Sequence, residues 1–166
     1  MLKRAQKTGI FHEDRGESLI EFAFTASVLL AGLFGIMDFS RALYTYHFVS
    51  YAAQEGTRYA SVRGADWSSS CSSYGSYDCI ASSADITSYV QGLAMPGIES
   101  TSITVTPSWP QENADETSTG CNTTETENSK GCLVKVVVSY PFHFFLPYLP
   151  KSSLTMQATS EGVIAY

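Results

Sequence analysis

Twenty consecutive residues, Ser18–Met37, carry a single charged side chain, Glu21, and the rest of the run is almost wholly apolar. At ~1.5 Å of rise per residue, a helix of that length reaches about 30 Å, the thickness of a bilayer's hydrocarbon core. A buried helix of a water-soluble domain seldom stays so apolar for so long. The run predicts a membrane span over about 18–37. It divides the chain into a polar leader (1–16), a long helix containing the span (17–63) and a head (64–166).

Charge is segregated about that span. Residues 1–16 hold Lys3, Arg4, Lys7 and Arg15 against Glu13 and Asp14, a net of +2, which leaves −8 for the remainder of a chain whose total is −6. A basic leader before an apolar span keeps the N-terminus cytoplasmic, so the head is expected outside the cytoplasm. The acidic remainder argues against nucleic acid as a partner, because neutralising phosphates requires a basic face.

All four cysteines, Cys71, Cys79, Cys121 and Cys132, lie beyond the span. An even count in a small exported domain reads as two disulfides. Three connectivities are open. Pairing Cys71 with Cys79 and Cys121 with Cys132 closes the shortest loops at the least entropic cost and is favoured on that ground. A zinc site fits poorly, since neither spacing is C-x2-C and no His flanks either pair.

The helical pattern continues past the membrane. From Asp38 to Val62 there is no Pro, and Tyr44, Phe48, Tyr51, Ala52, Glu55 and Tyr59 recur at three- and four-residue spacing. One long helix over about Ser18–Arg63 is expected, its second half in water, with Tyr44 and Tyr46 at the level of an interfacial aromatic belt. Asp38 and Arg41 are expected to form an exposed i,i+3 pair worth a few tenths of a kcal/mol. Ser83-Ala84-Asp85 predicts the start of a short helix ending near Ala94, before Pro96-Gly97. Ser102–Thr106, Leu133–Tyr140 and Leu154–Ser160 read as strands. Pro141–Pro150, PFHFFLPYLP, reads as an irregular apolar connector. The fold class is α+β: a long N-terminal helix, then a small antiparallel sheet with a short helix.

The residues that point to function sit at the leader junction, Arg15-Gly16-Glu17-Ser18-Leu19-Ile20-Glu21-Phe22. A carboxylate at the centre of a membrane helix costs about 2.5–3.5 kcal/mol on the insertion scale, less near the interface, and such residues tend to have a task. If a peptidase cuts after Gly16, Glu17 becomes the first residue and Glu21 the fifth. The Glu21 carboxylate is then placed to pair with the free amine of a neighbouring subunit, removing two charges from an apolar bundle. The simpler alternative is that Glu21, within about two turns of the interface, reaches water. Ala23, Ser27, Ala31 and Gly35 recur every four residues, which lets a second helix approach closely. Small residues are also common in any membrane helix.

The run GESLIEFAFTASVLLAGLFGIMDFSRALYTYHFVSYAAQEGTRYASV resembles the N-terminal signature of the TadE-like family, pseudopilins of the tight-adherence (Flp) pilus machinery. Gly16, Glu21 and Phe22 match its opening Gly and Glu-Phe. Gly35, Asp38, Phe39 and Arg41 match its Gly-x-x-acidic-Phe-x-Arg stretch. Ala52, Ala53, Glu55, Gly56, Arg58, Tyr59 and Ala60 match its closing block. The segments VKVVVSYPFHFFLP and LTMQATSEGV are similar to the family's strand, aromatic-proline connector and last strand. The resemblance implies cleavage by a prepilin peptidase at Gly16/Glu17, residence in a bacterial inner membrane with a periplasmic head, and assembly with other pilins, pseudopilins and pilus assembly proteins. Two positions depart from the pattern. Ser27 stands where the family usually carries Pro, and Glu17 stands where major type IV pilins begin with Phe.

No HExxH, GxSxG, P-loop or GxGxxG motif is present. His12, His47 and His143 fall in the leader, the long helix and the connector. No catalytic, cofactor-binding or metal-ligating set is therefore expected, and the chain reads as a subunit rather than an enzyme. An anchored binding or adhesive domain outside any pilus is the alternative. A secreted protein with an ordinary signal peptide fits less well, because the apolar span exceeds the usual length and no A-x-A site follows.

Overall fold

Straight-chain, small and aromatic side chains without Pro carry one uninterrupted helix, α1, over Arg15–Ser61. The computed structural model describes residues 15–65, 80–111, 121, 129–145 and 153–165, with side chains from residue 16. The leader up to residue 14 and both Cys71 and Cys79 lie outside the described residues.

After α1 come a second helix, α2 (Ser83–Gly92), a 3-10 turn (Ser100–Ser102) and three strands, β1 (Thr104–Ser108), β2 (Leu133–Phe142) and β3 (Leu154–Val163). The strands form one antiparallel sheet in the order β1-β2-β3. The α+β class expected from the sequence is what the chain adopts. A capping box starts α2: Ser82 Oγ accepts from the Asp85 amide, and the Asp85 carboxylate accepts from the Ser82 amide. Each such cap contributes about 1 kcal/mol. The cap residue is thus Ser82, one position before the expected start.

β2 continues two residues into the segment read as irregular. Pro141 pairs opposite Thr155 and Phe142 opposite Leu154, whereas β1 reaches only as far as Ser139. Pro141 therefore has a neighbouring strand on one side only, where a missing N–H is tolerated as at an edge. Pro107 lies in β1, itself an edge strand.

The sheet presents one face to the helices. Val134, Val136 and Val138 of β2 are fully buried against Phe48, Val49, Ala52 and Ala53 of α1 and against Ile86 and Val90 of α2. Burying one such aliphatic or aromatic side chain contributes about 1.5–3 kcal/mol. Cys121 and Cys132 are disulfide-bonded with Cα atoms 5.6 Å apart, as the short-loop pairing requires. On the outer face Lys135 and Glu161, directly opposed across β2 and β3, form an ion pair at 2.8 Å.

The buried stripe on α1 differs from the aromatic one expected. It comprises Thr45, Phe48, Val49, Ala52, Ala53, Gly56, Thr57 and Ala60, while Tyr44 and Tyr51 are exposed. Close approach of the sheet selects small side chains. A Cβ on Gly56 would stand 2.8 Å from Val90 Cγ2 and 3.2 Å from Val136 Cγ1. Of the expected face, Phe48, Ala52 and Tyr59 are buried, Tyr59 stacked on Tyr89 at 4.4 Å between ring centroids.

Candidate functional site

Among the described residues, the head buries α1 from Asp38 onward. Residues 16–37 are exposed apart from Ala26 and Gly35, which are partly covered, and none of the apolar stretch is buried. Leu19, Ile20, Phe22 and Phe24 are each about 70% exposed, Phe24 at 73%. A helix this apolar and this bare in water would associate or precipitate, and its length and composition suit a single membrane crossing.

The polar side chains within this half are held by their own helix. Thr25 Oγ1 donates to the Glu21 carbonyl at 2.8 Å and Ser27 Oγ to the Ala23 carbonyl at 2.7 Å. Such back-bonding satisfies these two hydroxyls within the helix, without help from lipid. At Ser27, where the family pattern has Pro, the helix runs through without interruption.

Gly16, Glu17 and Glu21 lie exposed on the first two turns of α1. A Cβ added at Gly16 would meet nothing within 4 Å among the described residues. Ala23, Ser27 and Ala31 are exposed and Gly35 is partly covered. Rows of every fourth residue drift by roughly 40° per step, so these four sweep about a third of the helix circumference. On the same geometry their mean direction coincides, to within about one residue's rotation, with that of the stripe Thr45–Ala60. The small residues therefore lie on the side of the helix over which the head sits.

Asp38 marks the boundary between the bare and covered halves, and it is 4% exposed. Its carboxylate accepts the backbone N–H of Phe145 at 2.9 Å, across 107 positions of chain, and receives Arg41 Nη1 at 3.1 Å. The Arg41 guanidinium also lies 5.5 Å from the centroid of the Phe142 ring. The expectation of an exposed i,i+3 pair is corrected here. The pair exists, but one member is buried and ties the segment after β2 to the helix. Local spacing carries no sign of a contact made by so distant an amide; the one available signal is an acidic residue immediately past an apolar span.

Beside this tie a groove of about 270 Å³ is lined by Phe34, Met37, Asp38, Arg41 and Phe145. At the other end of α1, Glu55, Arg58, Tyr59, Val62, Arg63 and Tyr89 surround a wetter depression, with the Arg63 guanidinium 4.0 Å above the Tyr59 ring. Among the described residues no three His, Cys, Asp or Glu side chains converge as metal ligands. His47 is exposed on α1 and His143 is exposed beyond β2.

Residues 16–58, which take in the bare half of α1, Asp38 and most of the buried stripe, match the family model for TadE-like protein. The resemblance drawn from Gly16, Glu21, Phe22 and the Ala52–Ala60 block is thereby supported over that span. Nothing among curated proteins or solved structures matches the chain.

Proposed function

Starting from a helix that carries the TadE-like signature over residues 16–58, we propose that this chain is a minor pilin or pseudopilin serving assembly of a tight-adherence pilus. The observation that carries the reading is the bare half of α1, an apolar rod of span length whose run Ser18–Met37 holds one carboxylate, Glu21, five residues past Gly16. Prepilin peptidase cuts between Gly16 and Glu17 on the cytoplasmic side of the inner membrane, and the head remains in the periplasm. The freed amine and the Glu21 carboxylate of adjacent subunits pair as helices gather, so that neither charge enters the apolar bundle alone.

Partner helices pack on Ala23, Ser27, Ala31 and Gly35, where backbones come closest. Because that stripe lies under the head, a partner using it ends near the level of Asp38. Partners on the opposite side of α1 meet no such ceiling. The head, stapled by Cys121–Cys132 and by a Cys71–Cys79 bond, selects which pilus components stand beside it.

The deciding experiment is the N-terminal sequence and intact mass of membrane-extracted protein made with and without the cognate peptidase. A peptidase-dependent start at Glu17 is expected. An uncleaved chain in the presence of active peptidase, or a start beyond α1, would overturn the reading and leave an anchored or secreted domain.

A further inference from the structure

Phe145 is 76% exposed, yet its backbone is fastened. The hydrogen bond from its N–H to Asp38 Oδ2, at 2.9 Å, holds it beside the first residue past the apolar run Ser18–Met37. A large aromatic side chain is thus presented outward, at one level along α1, by a buried carboxylate. Phe144 is 39% exposed next to it, and on the helix Met37 and Phe39 are exposed at the same level. The groove between Phe34, Met37 and Phe145 continues the bare apolar surface below it without a polar break. Arg41, whose side chain is about half exposed, stands at its upper rim, one turn above Met37.

We propose that this turn is a membrane-docking surface: Phe145 and its neighbours enter the interfacial layer of the bilayer, and Arg41 faces lipid phosphates. The inference rests on the reading of residues 18–37 as a membrane span. Three observations favour lipid over a protein partner. The surface is continuous with the span. Its composition follows the order of an interface, apolar below, aromatic at the boundary and cationic above, and aromatic rings favour that layer. Arg41 is about half exposed and keeps donors beyond the one given to Asp38, enough to meet anionic headgroups, while Asp38 is turned inward to the Phe145 amide. Docking at a second point beside α1 fixes the head's orientation to the membrane, which one helix alone leaves free to tilt.

The test uses the full-length chain in phospholipid vesicles, with Phe145→Trp and, separately, Val28→Trp as a mid-span control. Both side chains are exposed and leave the core untouched. Emission in excess of the parent chain is measured against lipids brominated either near the headgroup or near the acyl-chain middle. The proposal expects Phe145→Trp to be quenched at least twofold more by the shallow bromines, and Val28→Trp by the deep ones. Quenching of Val28→Trp alone would overturn the docking surface and leave the span intact. That holds whether the indole of the Phe145→Trp variant is then reached by aqueous iodide or shielded from both quenchers by protein. Absence of lipid quenching at both positions would remove the span and the docking surface together.

Discussion

Gly162 of β3 lies so close to Thr57 of α1 that a Cβ on the glycine would stand 2.7 Å from Thr57 Cγ2. Thr57 has no room to turn away. Its hydroxyl is shared between the Ala53 carbonyl on its own helix at 2.9 Å and the Ser160 carbonyl on β3 at 3.1 Å. Ser61 Oγ closes the other side, 2.8 Å from the same Cβ position. Helix and sheet are locked here by the absence of one methyl group.

Gly162→Ala is accordingly expected to destabilise the head by about 1–3 kcal/mol through overpacking. Thermal unfolding of the detergent-solubilised chain measures it. Combining it with Thr57→Ser, which removes the opposing methyl and keeps the hydroxyl, should recover part of the loss as a positive coupling. Strictly additive losses would show that the two groups do not compete for space.

Asp38→Ala removes the acceptor of the Phe145 amide and should cost about 1.5–3 kcal/mol, the range for losing a hydrogen bond to a charged group. Hydrogen exchange at residues 143–145 should quicken more than exchange in the core of β2. Uniform quickening across β2 would instead mean that Asp38 supports the whole head.

How far the sequence reveals these contacts depends on their range. The long helix, the three strands and the short helix are readable because their patterns are local: an unbroken apolar run, alternation along Leu133–Tyr140, a Ser-Ala-Asp start just after the true cap. The face of α1 is partly misread from sequence. Phe48, Ala52 and Tyr59 of the expected face are buried, but Tyr44 and Tyr51 are not; the packed stripe is completed by Ala53, Gly56 and Thr57, small residues that give little hydrophobic signal of their own. Asp38 is misread for a related reason, since its partner is Phe145, 107 positions away. Glu21 is conspicuous in the sequence as a lone carboxylate in an apolar run, but a pairing with a neighbouring subunit leaves no mark within a single chain.

Replacing Cys121 and Cys132 together with Ser opens a loop of sequence separation 11 and should lower head stability by about 2–3 kcal/mol on the chain-entropy account. The melting temperature of the double variant checks this without touching the other two cysteines. No change in melting would show that the bond adds nothing to the folded head.

Glu21→Ala should leave the protein in the membrane fraction, since it removes a charge from the span and lowers the cost of insertion. Pilus assembly in cells carrying it should fall sharply, scored by counting filaments. Normal piliation would refute the pairing of Glu21 with a neighbour's amine.

α1 has no joint between its bare and covered halves, and the head grips it along about 35 Å, from Asp38 to Ser61. Mechanically it is an axle keyed into its wheel. A quarter-turn of the rod within the bilayer swings the head through the same angle, and an upward pull on the rod arrives at the sheet undiminished. Whatever grasps the bare end of such a rod thereby steers the head at its other end.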